Sequence, residues 1–299
     1  MFWILTVLHF LVDASSVTVL AVGGFSVQRL IAYNVLAFAL QLPLGIVSDR
    51  FPWITRSSFF ISGILLLSGL LTGALVPTSS FALVLVCVGN AVFHLSAGRH
   101  VLETEGFRAG PVGLFISTGA VGLACGMLGA EEFPRIFMPC LSAALATAYV
   151  LAFCIRSRFI PGSSVKSFSF SWKSMLCLLP LCIVIIWRSW AGLFAHAMVS
   201  GEAAALAIAA AVVTLLGKIA GGYIGDRVGH LLLTCVSVVG SLVLVAMPIA
   251  FSHVLWLIVL FVAQLATGPV IHLLRRNMGD APGTAFGFNS ASLLVGSFI

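Results

Sequence analysis

The sequence predicts an all-α polytopic membrane protein, and three observations support this fold class. Hydrophobic residues make up 61% of the 299 positions, charged residues make up 8%, and the mean hydropathy is +1.17. A soluble domain carries roughly 25% charged residues, so most of this chain is suited to lipid rather than to water. The apolar runs last about 20 residues without alternating polar side chains, which favours spanning helices over a barrel.

Six apolar runs in the first half of the chain are long enough to span a bilayer, and short polar loops or loops with glycine and proline separate them. The first run starts at Met1 without a basic segment before it, so it is predicted to be a spanning helix rather than a signal peptide. The predicted helices cover 2–23, 29–48, 57–76, 80–99, 110–130 and 134–155.

A hydrophilic segment follows, and a second set of apolar runs comes after it. Residues 156–173 contain six serines, a proline and a glycine, so we predict a cytoplasmic linker there. The later helices are predicted at 174–197, 203–225, 231–251, 254–274 and from about residue 283 to the last residue, 299. The predicted domains are therefore an N-terminal six-helix bundle at 1–155, the linker at 156–173 and an incomplete C-terminal bundle at 174–299.

The positions of the basic residues predict the orientation of these helices. With the N-terminus in the cytoplasm, the inner loops hold eleven Lys and Arg residues and the outer loops hold two, Arg29 and Arg135. Cytoplasmic loops of membrane proteins carry such an excess of basic residues. The net charge of +6 therefore reflects topology, and we expect no nucleic-acid partner, because the basic residues form no face of a folded domain.

A short motif occurs once in each half of the chain. It has the pattern G-x-x-x-D-R, and each copy follows the second predicted helix of its half. The motif residues are Gly45, Asp49 and Arg50 in the first copy and Gly222, Asp226 and Arg227 in the second. Two copies at matching positions indicate a parallel repeat of six helices plus six, in which the second half lacks its sixth helix.

These two loops resemble the signature loop of the major facilitator superfamily, although Pro52 and Trp53 depart from its usual pattern. The resemblance implies two six-helix bundles around a central cavity lined by helices 1, 4, 7 and 10, here with about 11 helices and the twelfth missing. A narrower likeness is to fosmidomycin-resistance-type drug exporters. It is carried by His9-Phe-Leu-Val-Asp13 in helix 1, the segment 89–99 in helix 4 and Arg188-Ser189 in helix 7.

Asp13 is the only acidic residue that lies well inside a predicted span, since the others lie in loops or at helix ends. His9 lies four residues earlier on the same helical face. Ionisable groups inside a membrane are costly and usually face a cavity or the bundle interior. We therefore predict that Asp13 and His9 couple transport to proton movement. A static hydrogen-bonded pair that fixes helix packing is the alternative.

Arg188 lies near the middle of helix 7, between Trp187 and Trp190. The resemblance places it across the cavity from Asp13, where it could hold an anionic substrate or form a permanent ion pair. The two tryptophans could stack on a planar substrate or serve packing. Four further polar residues are assigned to the cavity, with interhelical hydrogen bonding as the alternative: Asn90, His94, Gln264 and Thr267.

The resemblance also implies that the two Asp-Arg loops form a cytoplasmic gate. Each acid would meet the N-terminus of a helix in the other half, Asp49 near Pro282-Gly283 and Asp226 near Gly110-Pro111. A carboxylate at a helix N-terminus is favoured by roughly 0.3–1 kcal/mol. A purely topological role for the arginines is the alternative.

The sequence contains no phosphate-binding loop and no metal-ligand spacing, so we predict neither an enzyme nor a cofactor or metal site.

The predicted function is a secondary active transporter in a bacterial inner membrane, exporting a small organic solute or drug in exchange for protons. A non-transporting protein that keeps the fold for assembly or sensing is the alternative. An intramembrane enzyme is disfavoured because acids and metal ligands do not cluster along the sequence. The expected partners are the solute, protons and the lipid bilayer.

Overall fold

The computed structural model describes residues 1–155, 172–199, 204–247, 253–279 and 281–298, and in helix 172–199 the described side chains are those of 176–192. The predicted linker at 156–173 therefore lies outside the described residues, apart from its last two positions. In the described ranges the regular structure is entirely helical, which confirms the predicted fold class.

Each predicted span corresponds to one helix or to one span with a local irregularity. In the first half, α1 to α6 cover Phe2–Val22, Val27–Arg50, Pro52–Leu75, Ser80–Thr104, Ala109–Glu132 and Pro134–Cys154. In the second half, α7 to α11 cover Trp172–Val199, Ala204–Val228, His230–Val245, His253–Asn277 and Pro282–Gly296. Within the described ranges, eight helices are long and apolar enough to cross a membrane.

The helix ends differ from the predicted ones where polar residues continue a helix beyond its apolar run. Helix α4 extends to Thr104 rather than to residue 99, and α3 begins at Pro52 rather than at 57. Proline suits the first helical turn because the N–H that it lacks would have no partner there. Pro134 and Pro282 begin α6 and α11 in the same way.

Two helices are irregular just before an internal proline. Helix α2 contains a π-helical segment at Val35–Ala39, and Pro43 lies one turn later. Helix α10 is interrupted after Gln264, one turn before Pro269. Proline cannot donate to the carbonyl four residues earlier, so the prolines leave the oxygens of Ala39 and Leu265 without that bond.

Helices α1–α6 and α7–α11 meet mainly along two pairs of helices, α5 with α8 and α2 with α11, and to a smaller extent along α4 with α11 and α5 with α10. The contacts are close enough to require glycine. A Cβ atom at Gly113 of α5 would overlap the carbonyl oxygen of Lys218 on α8, and one at Gly45 of α2 would overlap that of Gly283 on α11. These contacts lie in the part of each helix nearest the two Asp-Arg loops, which we call the D-R end of the bundle.

Candidate functional site

Asp13 lies on α1 with only 8% of its surface exposed. His9 is one turn earlier and is buried as well, and its Nε2 atom lies 3.5 Å from Asp13 Oδ2. The i, i+4 spacing that placed the two side chains on one face of the helix therefore also brings them within ion-pair distance.

Helix α4 supplies two more members of this site. His94 Nε2 lies 3.4 Å from Asp13 Oδ1 and 2.7 Å from His9 Nε2. The Asn90 side-chain amide donates to Asp13 Oδ1 at 3.0 Å and to Ser16 Oγ at 3.1 Å. We call His9, Asp13 and His94 the His–Asp–His cluster. Asn90 and His94, which the sequence assigned to the substrate cavity, therefore lie against Asp13.

The hydrogen bonds of the two histidines indicate their protonation. His9 Nδ1 donates to the Phe115 carbonyl at 2.6 Å, and His94 Nδ1 donates to the Asn90 carbonyl at 2.9 Å, because a carbonyl can only accept. Two neutral imidazoles have just these two N–H protons between them. The two Nε2 atoms, whose lone pairs then face each other, lie 2.7 Å apart, a distance that a shared proton would fit.

A glycine of α5, Gly119, packs against the cluster. A Cβ atom on Gly119 would overlap Asp13 Oδ2 and would lie 2.9 Å from the nearest atom of the His9 ring. The cluster therefore fits its site because α5 presents no side chain at this position. The sequence alone does not identify this glycine as part of the site.

The cluster is also a candidate set of metal ligands, which the sequence did not indicate. His9, Asp13 and His94 each offer a ligand atom, and these atoms lie within 4.8 Å of one another. The spacing along the sequence gave no sign of this group, because His94 is 85 residues from His9 and meets it only when α4 packs against α1.

Arg188 on α7 is buried, with 3% of its surface exposed. Its Nη2 atom lies 3.5 Å from Asn289 Oδ1, and its buried Nη1 atom has no hydrogen-bond partner among the described residues. In the described part of the chain the ion pairs of Asp13 are formed with His9 and His94, not with Arg188. Lys218 on α8, to which the sequence assigned no role, is partly buried, and its Nζ atom lies 3.5 Å from the Ile116 carbonyl oxygen of α5.

The other residues assigned to the cavity form contacts within the second half. The indole N–H of Trp187 donates to Ser241 at 2.9 Å, and its ring stacks on that of Trp190 at 5.2 Å. Thr267 donates to the side-chain oxygen of Gln264 at 3.0 Å. These contacts hold Trp187 against α9 and place Gln264 and Thr267 at the interruption of α10.

Asp49 contacts the first turn of α11. Its carboxylate accepts hydrogen bonds from the Gly283 N–H at 3.0 Å, the Thr284 N–H at 2.7 Å and the Thr284 hydroxyl at 2.8 Å. The resemblance implied this contact for the first copy of the motif. It joins α2 to the second half of the chain.

Asp226 makes the equivalent contact with the first turn of α5. It accepts from the Ala109 N–H at 2.6 Å and the Gly110 N–H at 2.8 Å, and His230 lies 3.1 Å away. Each half therefore supplies an acid that caps a helix of the other half, and both contacts lie at the D-R end. Arg50 and Arg227 are exposed, and the Arg50 guanidinium lies 6.0 Å from the Phe51 ring.

Two buried arginines lie beside these capping contacts, and the sequence did not identify them. The sequence predicted Arg99 in a loop, because it lies at the end of an apolar run. In the structure it is fully buried and lies 3.7 Å from Asp49 and 2.9 Å from Glu103. It also donates to the Ser48 carbonyl. Arg275 occupies the corresponding place on α10, where it donates to Leu102 and Gly106 carbonyls of the first half.

We expect Asn90→Ala to lower the free energy of unfolding by about 1–3 kcal/mol, because a buried carboxylate loses its amide donor. Thermal unfolding of the purified protein in detergent measures the change. Thr147→Ala is the matched control, since its hydroxyl bonds to the carbonyl four residues earlier on the exposed face of α6. Equal melting temperatures for the two variants would contradict the hydrogen bond to Asp13.

No family model and no curated protein matches the sequence. Solved structures do match. The E. coli fucose:proton symporter FucP has a TM-score of 0.67 at 12% identity, with 99% of this chain and 89% of that chain covered. The human organic anion transporter MFSD10 has a TM-score of 0.72 at 13% identity, with coverage of 99% and 91%.

A bacterial homologue of the iron transporter ferroportin, in an outward-facing state, has a TM-score of 0.56 at 16% identity, with coverage of 99% and 89%. FucP is described as a major facilitator superfamily transporter. Likenesses at this level of identity establish the fold, which is the major facilitator fold that the two Asp-Arg loops indicated.

Proposed function

We propose that this chain is a secondary active transporter that exports a small organic solute or drug in exchange for protons by alternating access. The observation that carries the proposal is the shared-proton geometry of the His–Asp–His cluster. Two Nε2 atoms 2.7 Å apart beside a carboxylate could bind and release one proton, and ionisable groups inside a membrane protein are costly unless they serve such a role.

The D-R end supports alternating access. Asp49 and Asp226 each bridge the two halves of the chain through backbone amides, and Arg99 and Arg275 reinforce the same end. These contacts close one end of the bundle, and all of them can break without unfolding a helix. Under this proposal they break when the D-R end, which we assign to the cytoplasmic side of a bacterial inner membrane, opens.

Two cations, buried Arg188 and partly buried Lys218, support an anionic group on the solute. Among the described residues Arg188 Nη1 has no hydrogen-bond partner, and the hydrogen-bond acceptor near Lys218 Nζ is the carbonyl of Ile116 at 3.5 Å. Neither group has a carboxylate partner within the described residues, and burying a charge without a partner is costly. A carboxylate, phosphonate or similar group on the solute would neutralise them. One structural neighbour is named an organic anion transporter and another a proton symporter.

The test is proton movement in proteoliposomes that contain the purified chain. Candidate drugs and small organic anions are added against an imposed pH gradient. We expect at least one solute to drive proton flux in the wild type and Asp13→Asn to abolish this flux, because an amide cannot bind and release a proton.

Glu131→Gln is the matched control, since it neutralises an exposed acid at the end of α5 and should leave the flux unchanged. Solute-driven flux that persists in Asp13→Asn would remove the cluster from the coupling mechanism. No flux with any solute would favour a non-transporting protein that keeps the fold.

A further inference from the structure

We propose that the His–Asp–His cluster binds a divalent transition-metal ion in place of the shared proton. The inference uses the residues of the proposed proton site, and it stands whether or not the chain transports a solute. The inference rests on a donor set of two imidazole nitrogens and one carboxylate, which converge from α1 and α4.

The distances between the donor atoms suit a metal ion. Zinc binds imidazole nitrogen and carboxylate oxygen at about 2.0–2.2 Å, which sets neighbouring ligand atoms of a tetrahedron about 3.3–3.5 Å apart. Asp13 lies 3.5 Å from His9 Nε2 and 3.4 Å from His94 Nε2. The two nitrogens, 2.7 Å apart, need to separate by about 0.6 Å to reach the tetrahedral spacing.

The surroundings of the cluster orient its ligands. Histidines that bind metals usually donate their second ring N–H to a carbonyl or a carboxylate, which fixes the tautomer and turns the other lone pair toward the metal. His9 donates to the Phe115 carbonyl and His94 to the Asn90 carbonyl. Asn90 in turn donates to Asp13. All three ligands are therefore held in position by a further hydrogen bond.

The donor set also selects the class of metal. Imidazole suits Zn²⁺, Co²⁺, Ni²⁺ and Fe²⁺, whereas Mg²⁺ and Ca²⁺ prefer sites made wholly of oxygen. Three protein ligands leave at least one coordination position free, and the side chains of Asp13 and His94 are each 12% exposed while that of His9 is 3% exposed. The free position is thus on the side of the cluster formed by Asp13 and His94.

The experiment measures metal bound to the purified full-length chain in detergent after treatment with a chelator. We expect one Zn²⁺ per chain by elemental analysis, and with Co²⁺ the visible absorption bands of a four- or five-coordinate ion, which Zn²⁺ removes. We expect Mg²⁺ to leave these bands unchanged. Zn²⁺ affinity should fall at least tenfold in His94→Ala and in Asp13→Asn, and it should be unchanged in His253→Gln, which alters a histidine outside the cluster.

Thermal unfolding with and without Zn²⁺ provides a second measurement for the wild type, whose melting temperature should rise. Absence of stoichiometric Zn²⁺, or binding that persists in both cluster variants, overturns the proposal. Metal binding without solute-driven proton flux would refute the proposed function alone, and flux without metal binding would refute this inference alone.

Discussion

Replacing Asp49 and Asp226 together with alanine is expected to open the D-R end of the bundle. Asp49 accepts three hydrogen bonds from the first turn of α11, and Asp226 accepts two backbone bonds from that of α5. Hydrogen bonds to charged groups contribute about 1.5–3 kcal/mol each. The loss of one such bond at Asp49 and one at Asp226 would therefore raise the free energy of the closed state by about 3–6 kcal/mol. That loss shifts the ratio of closed to open states by more than 100-fold.

Hydrogen–deuterium exchange tests this expectation directly, because the carboxylates protect particular amides. Exchange at Gly283, Thr284, Ala109 and Gly110 should accelerate at least tenfold in the double variant. Neutralising Glu131 and Glu132 together removes the same number of charges at the end of α5 and should leave these amides protected. Unchanged exchange in the Asp49 and Asp226 variant would show that the gates do not depend on the two acids.

Gly113→Val is expected to abolish solute-driven flux and to lower the stability of the bundle. A Cβ atom at this position would overlap the Lys218 carbonyl oxygen and lie 3.4 Å from the Cα atom of Gly222. A backbone oxygen cannot move aside as a flexible side chain can, so α5 and α8 must separate. Overpacking of this kind costs about 1–3 kcal/mol or more, and here it acts on the contact that brings Asp226 to α5.

Gly192→Ala is the control for Gly113→Val. A Cβ atom at Gly192 would meet no described atom within 4 Å, and alanine favours a helix over glycine by up to about 1 kcal/mol. Thermal unfolding and proton flux, measured together, should be close to wild type in Gly192→Ala and reduced in Gly113→Val. Flux within twofold of wild type in Gly113→Val would contradict a need for direct contact between the two helices.

The helices could be predicted because a spanning segment must be apolar along its whole length, and that requirement is visible in a single sequence. The proximity of His9 to Asp13 was predictable for a similar local reason, since four residues make about one helical turn. The addition of His94 was not, because it depends on the rotation of α4 about its axis. The sequence placed this histidine in helix 4 and assigned it to the cavity.

Burial at helix ends was the hardest feature to predict. Arg99 follows an apolar run and was counted among the loop residues that set the orientation, yet it is fully buried behind Asp49. Charge usually marks the surface, and only the arrangement of neighbouring helices shows that this guanidinium is surrounded by acceptors. Lys218 was likewise not identified, because a single helix does not reveal that α5 brings the Ile116 carbonyl to within 3.5 Å of its ammonium group.

The two capping contacts have a geometric consequence. Two bodies that are pinned to each other at two separate points keep a single rotational freedom, about the line through the pins. The pins here are Asp49 with Gly283 and Asp226 with Ala109. If the bonds from Arg275 to the Leu102 and Gly106 carbonyls break while both pins hold, the two halves can turn only about this line, so atoms far from it travel furthest while the pinned amides stay almost still. Under the proposed function, the opening of the opposite end would then be a rotation whose axis two carboxylates define.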